Sequence, residues 1–175
     1  AFDADKITGT IRARWANAGE TLETLDGVQR NLTTEDLVIA DDARVLSLAG
    51  VMGGAYSEIS ESTTRVVLEA AHFNPSEIAR MSRRHKLSSE ASRRLERGVD
   101  RMLPPVSSAR FAELLIEHGG ATFEGTSGVE QAPDPIVISF DPNLPVQVAG
   151  HSYDSANVEK ILISLGCVVD TAKSP

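Results

Sequence analysis

Asp26-Gly27 stands between two short segments, Thr21–Leu25 and Val28–Leu32. The dipeptide suits a tight hairpin because both turn positions take positive φ. Segments joined so closely must lie antiparallel, which predicts paired strands on either side. Ile11–Trp15 alternates apolar and polar side chains upstream. Downstream, the polar break Thr33-Thr34-Glu35-Asp36 precedes a strand over Asp36–Ala40, and Asp41-Asp42-Ala43-Arg44 predicts a second turn into Val45–Ala49. Arg65–Leu68 is too short for a helix and rich in β-branched residues, which predicts a buried strand delivering Glu69 at its end.

Helical signals begin at Asn74-Pro75, an N-cap followed by proline at the first helical position, with Glu77 in the first turn. This helix is predicted to run to Arg84 or Lys86. Ser88 or Ser89 caps a second over Glu90–Arg97, stopped at Gly98, and a third runs from Pro104-Pro105 to His118, closed by Gly119-Gly120. Val106, Phe111, Leu114 and Leu115 follow helical spacing and read as core. Ala121–Pro135 reads as a linker or edge strand, followed by a strand over Ile136–Phe140 and a helix over Ser155–Leu165 closed by Gly166. The fold class is α/β of the α+β type, a mixed or antiparallel sheet with several packed helices, plus a small partial strand-helix module at the C-terminal end.

The 175 residues carry a formal charge of −8, which argues against a general nucleic-acid binder. Its distribution says more. Arg80–Arg101 contains eight cations and three acids, a net +5, leaving −13 for the rest. Such an island suits RNA phosphates, with Arg80, Arg83, Arg84 and Arg93 as candidate contacts. Guanidinium groups paired with acids inside the fold are the other reading. Cys167 is a lone cysteine and the apolar runs are too short to span a bilayer, which predicts a reducing, cytoplasmic setting with no membrane role. The opening AFDADKITG has no leader and reads like the interior of a longer chain.

Gly50-Val51-Met52-Gly53-Gly54 follows a predicted strand, as a phosphate-binding loop does, but has neither the lysine nor the spacing of one. Its glycines serve either a tight turn or close approach of a ligand. Glu69, between Leu68 and Ala70-Ala71, is a carboxylate among apolar neighbours that reads as a salt-bridged core acid or as an acceptor for a ligand. His72, His85, His118 and His151 have no metal-ligand spacing, and His85 reads as solvated or paired.

The stretch Leu48–Asp100, LAGVMGGAYSEISESTTRVVLEAAHFNPSEIARMSRRHKLSSEASRRLERGVD, joins the glycine-rich turn, the strand ending in a carboxylate and the arginine-dense helices. It resembles the B3/B4 editing domain of the bacterial phenylalanyl-tRNA synthetase beta subunit, and the likeness extends from Ala1 to about Ala121. The resemblance implies a B3/B4 domain over 1–121, a linker over 122–135 and the start of the B5 domain over 136–175. It also implies a parent enzyme charging tRNA with phenylalanine, an (alpha-beta)2 heterotetramer that uses ATP and magnesium at a synthetic site on the alpha chain. No cofactor or metal is implied for this segment.

By the same resemblance, Gly50 and Gly53 line the pocket that receives the amino acid being checked, and Glu69 recognises the phenolic hydroxyl of tyrosine. Ser89, where threonine is common, keeps a pocket hydroxyl, and Ala91 sets pocket size. An asparagine and a histidine of the editing centre fall just upstream of Ala1, which predicts that this segment binds misattached tyrosine with weak or no hydrolysis alone. The physical need is plain. An apolar pocket rejects an added hydroxyl by only about a hundredfold, whereas a site that bonds the hydroxyl discriminates by ~10⁴ or more. A noncatalytic RNA-docking module of the synthetase and a freestanding editing-like hydrolase are the rival readings.

Overall fold

The apolar runs around residues 38 and 46 form the two central strands of a small sheet, and helices cover that sheet because its strands are apolar on both faces. The computed structural model describes residues 1–129, 134 and 136–171, in two compact units, Ala1–Ala132 and Pro133–Pro175. The first unit runs β1 (Phe2–Asp3), β2 (Arg12–Trp15), β3 (Thr21–Glu23), β4 (Gln29–Asn31), β5 (Leu37–Ala40), β6 (Val45–Leu48), β7 (Met52–Gly53) and β8 (Val66–Val67). Three helices follow, α1 (Pro75–Arg84), α2 (Glu90–Leu95) and α3 (Leu103–Gly119).

Every strand pair is antiparallel, with a main sheet in the order β2-β5-β6-β7 and two ribbons, β1-β8 and β3-β4. Ala13, Ile39, Ser47 and Gly53 follow one another across the main sheet in register. Val38, Leu46, Leu48, Ile78 and Met81 are almost fully buried and form the core with Phe73 and Leu87. Each such side chain gains about 1.5–3 kcal/mol on leaving water, more than any local propensity.

The turn at 41–44 forms as the sequence predicts, and its cause is visible. Asp41 Oδ1 accepts from the backbone N–H of Ala43 and Arg44, each at 2.8 Å, while Oδ2 accepts from the Thr8 N–H at 2.8 Å. The hairpin at Asp26-Gly27 also forms, with different geometry. Only Gly27 takes positive φ, at 74°, and the loop closes by the Thr24 N–H donating to the Val28 carbonyl at 3.1 Å. Asp26 stays out of the left-handed region because its Oδ1 accepts from the Thr24 hydroxyl at 2.5 Å and from the Val28 N–H at 3.3 Å. The loop is therefore longer than a two-residue turn.

Asn74 caps α1 by accepting from the Ser76 N–H at 2.9 Å, and Ser89 caps α2, which is shorter than predicted and ends at Leu95. α3 spans the predicted range, with Gly120 at φ 63° closing it onto the Leu115 carbonyl. Its predicted core role does not hold. α3 has no buried side chain, and Val106, Phe111, Leu114 and Leu115 are all exposed. Helical spacing identifies an apolar stripe but not whether another element packs over it. Arg65–Leu68 likewise contributes only a two-residue strand whose Val66 is exposed, because its single partner is the edge strand β1.

The second unit contains α4 (Leu144–Ala149) and α5 (Ser155–Ser164), the latter capped by Asp154 and followed by Gly166 at φ 88°. Ile136–Phe140 is not a strand. Among the described residues it has no pairing partner, and without a ladder an extended run gains nothing from its β-branched side chains. α4 went unpredicted, although Pro145 in its first turn and Gly150 at φ 65° after it are ordinary helix boundaries. Residues 130–133 and 135 of the predicted linker, and 172–175 of the predicted module, lie outside the described residues. Among the described residues no helix is long and apolar enough to cross a membrane.

Candidate functional site

Gly50 follows β6 at φ 66°, and a Cβ added to it meets Leu95 Cδ1 at 2.8 Å and Ile78 Cδ1 and Phe73 Cδ2 at 3.0 Å. The backbone there is pressed against the helices, so glycine is required both by conformation and by space. Next to it, Ser89 Oγ donates to the Val51 carbonyl at 2.5 Å and accepts from the Ser92 N–H at 3.0 Å. Ser92 Oγ returns a bond from the Ser89 N–H at 3.0 Å, completing a reciprocal cap. One hydroxyl thus starts α2 and fastens it to the glycine loop. Ser89→Ala is expected to lower stability by about 0.5–2 kcal/mol in thermal unfolding, and Ser89→Thr to retain most of it.

Gly53, two residues beyond Val51, lines a cavity of about 260 Å³ with Phe2, Leu25, Gly54, Ser57 and Ile59. Opposite Gly53 in the register is Ser47, whose buried Oγ has no hydrogen-bond partner among the described residues. Gly50 and Ser89 therefore meet through Val51, and Gly53 opens onto a cavity. Ala91 is exposed on α2.

Glu69 follows β8 by one residue, since Leu68 intervenes, and is partly buried. No hydrogen bond or ion pair joins it to any described residue. Burial pushes its carboxyl above the ordinary range. It is not among the residues that line the cavity at Gly53, although β8 pairs with β1, whose Phe2 does. The positive charge felt by Glu69 is that of the Ala1 ammonium, which opposes the effect of burial.

The candidate arginines differ among themselves. Arg84 reaches Asp36 Oδ1 at 2.5 Å and also pairs with the Glu35 carboxylate. Arg80 pairs with Glu77, and Arg93 with Glu90 at 3.2 Å, both one helical turn apart. Arg83 is exposed and its side chain meets no partner among the described residues.

The densest polar cluster was not anticipated from sequence. Asp36 is fully buried; besides Arg84, its carboxylate meets His85 Nε2 at 2.9 Å and the Thr33 N–H at 2.8 Å. Burial pushes this carboxyl up, but the Thr33 N–H, His85 and Arg84 together outweigh that and hold it below its ordinary range. His85 is thus paired, as one of its two sequence readings has it. A second cleft, of about 500 Å³, lies between the β3-β4 ribbon and Arg44, whose guanidinium sits 3.9 Å over the Tyr56 ring.

Among the described residues no three His, Cys, Asp or Glu side chains come together in a way that could hold a metal ion. The chain belongs to the B3/4 domain family, which matches residues 1–120.

The curated relatives are consistent in name. The phenylalanine–tRNA ligase beta subunit of Cutibacterium acnes is 46% identical over 169 residues, covering 97% of this chain and 20% of that protein. The beta subunits of Bifidobacterium longum and Streptomyces avermitilis are 45% and 47% identical over 176 and 173 residues, again covering 97% of this chain and 20% and 21% of theirs. The chain spans about a fifth of the length of these relatives.

Proposed function

We propose that this chain is the B3/4 portion of a phenylalanine–tRNA ligase beta subunit and that it selects tyrosine misattached to tRNA(Phe) for hydrolysis. The observation that carries this reading is Glu69, a partly buried carboxyl with no hydrogen bond or ion pair to a described residue. A carboxylate in that state has unsatisfied acceptor capacity, and a phenolic O–H supplies what it lacks while a phenyl ring does not. Water then adds to the ester carbonyl, the bond to the ribose oxygen breaks, and free tyrosine and the tRNA hydroxyl are the products. An alpha subunit partner, the (alpha-beta)2 assembly and a cytoplasmic setting belong to the same proposal. ATP and magnesium serve the charging reaction elsewhere in the parent enzyme. Among the described residues no three His, Cys, Asp or Glu side chains are placed to hold a metal ion, and the Gly50–Gly54 loop has no lysine for a nucleotide phosphate.

The test is deacylation of tyrosine-charged against phenylalanine-charged tRNA(Phe) by the full protein. A preference on the order of 10⁴ for tyrosine is expected to fall below about tenfold in Glu69→Ala. An unchanged preference in that variant would remove Glu69 from recognition. Because burial raises its pKa, Glu69 becomes fully ionised only at higher pH, so the tyrosine preference is expected to grow as pH rises through that raised value.

One finding favours a second reading, a docking module without chemistry. Gly50 and Ser89 are both fixed by packing and capping inside the fold. The same deacylation experiment separates the two.

A further inference from the structure

The eight cations between Arg80 and Arg101 fall into two sets once the fold is known. Arg80, Arg84 and Arg93 face carboxylates of their own unit. Arg83, Lys86, Arg94, Arg97 and Arg101 are exposed, and their side chains make no ion pair or hydrogen bond with any described residue. With Glu77, Glu35, Asp36 and Glu90 taken by the first set, Glu96 and Asp100 are the remaining acids of the segment. Positive charge prevails there in an otherwise acidic protein.

We infer that Arg83, Lys86, Arg94, Arg97 and Arg101 form a docking surface for the phosphate backbone of an RNA end, beside the glycine loop. This inference rests on the RNA half of the function proposed above. Three observations carry it. Lys86 has φ 49°, the one positive value outside glycine among the described residues, at the turn that leaves α1. Glycine is the residue suited to such a position, and a lysine there is strained. Its exposed ammonium has no internal partner that would account for its presence, so the strain is matched to a role outside the unit.

The second observation is placement. α1 packs against α2, and α2 is fastened to the glycine loop by Ser89 on Val51 and by Leu95 against Gly50. Arg94 and Arg97, on either side of Leu95 in the chain, are therefore carried on a segment fastened to the glycine loop.

The third concerns the kind of partner. Between residues 83 and 101 no large apolar side chain is exposed. The centre of a protein interface needs such groups, whereas a phosphate backbone needs only positive charge.

The experiment is binding of an uncharged tRNA transcript to the full protein, titrated with salt, alongside thermal unfolding. Lys86→Gly is expected to leave the melting temperature unchanged or higher, because glycine relieves the backbone. It is also expected to weaken RNA binding by about fivefold at about 0.1 M salt and to flatten the log–log salt slope by roughly 0.7–0.9. Arg94→Gln with Arg97→Gln should weaken it by about 25-fold, and the paired control Arg80→Gln by less than about twofold. Unchanged affinity and slope in the Lys86 and Arg94/Arg97 variants overturns the inference. So does loss of a protein–protein assembly with RNA binding intact, which would assign the surface to an acidic protein. Because this RNA carries no amino acid, the readout is independent of tyrosine recognition by Glu69, and either idea can fail alone.

Discussion

Asp36→Ala is expected to destabilise the first unit by about 3–5 kcal/mol in urea unfolding, because it strips the Thr33 N–H and the buried His85 Nε2 of their partner and leaves Arg84 with Glu35 alone. The carboxylate is fully buried and joins three elements of structure: the Thr33 turn before β5, the last turn of α1, and the residue that closes that helix. Asp36→Asn keeps the shape and some hydrogen bonds and should cost less. The pH dependence has a definite sign. The folded carboxyl titrates below its unfolded value, so its stabilisation is fully present above the unfolded pKa of about 3.9. It is lost as pH falls through the depressed folded value. Acid unfolding below about pH 4 should accordingly be steeper in the parent protein than in Asp36→Asn. Equal slopes would show that the charge at Asp36 contributes nothing.

Gly50→Ala is the second large change, expected to cost about 2–4 kcal/mol, with about 1–2 from the left-handed backbone and the remainder from overpacking. The new methyl would press on Leu95, Ile78 and Phe73, two of which are buried. Gly27→Ala provides the comparison, since Gly27 also has positive φ but no atom lies within 4 Å of an added Cβ. It isolates the backbone part. If both variants melted at the same temperature, the contacts around Gly50 would be shown to yield freely. A larger loss in Gly50→Ala bears on the pocket, because a loop held that firmly presents Gly53 at a fixed place.

Much of the fold was legible because its signals are local. Asn74-Pro75, Gly120, the Asp41 turn and the alternation in Ile11–Trp15 each act within a few residues, and each formed where the sequence placed it. The failures involve partners distant in the chain. Nothing near Phe111 or Leu114 tells whether another element covers α3, and nothing near Ile136 tells that its segment lacks a neighbouring strand. The Asp26-Gly27 turn failed only in detail, because the Asp26 side chain bonds Thr24 and so selects a longer loop. At the candidate site the same division holds. Ser89 as a helix cap was readable from spacing, whereas its bond to Val51, thirty-eight residues away, was not. Asp36, Arg84 and His85 belong together only after β5 and α1 have met.

Arg30 has a consequence for motion. Its guanidinium donates to the Thr24 hydroxyl at 2.8 Å, to Asp26 Oδ2 at 2.6 Å and to the His85 carbonyl at 2.8 Å. A ribbon of three residues a side would ordinarily fray by itself on a fast timescale. Here peeling it away also breaks the Arg30 bond to the His85 carbonyl, so opening of the ribbon costs a contact at the end of α1 as well.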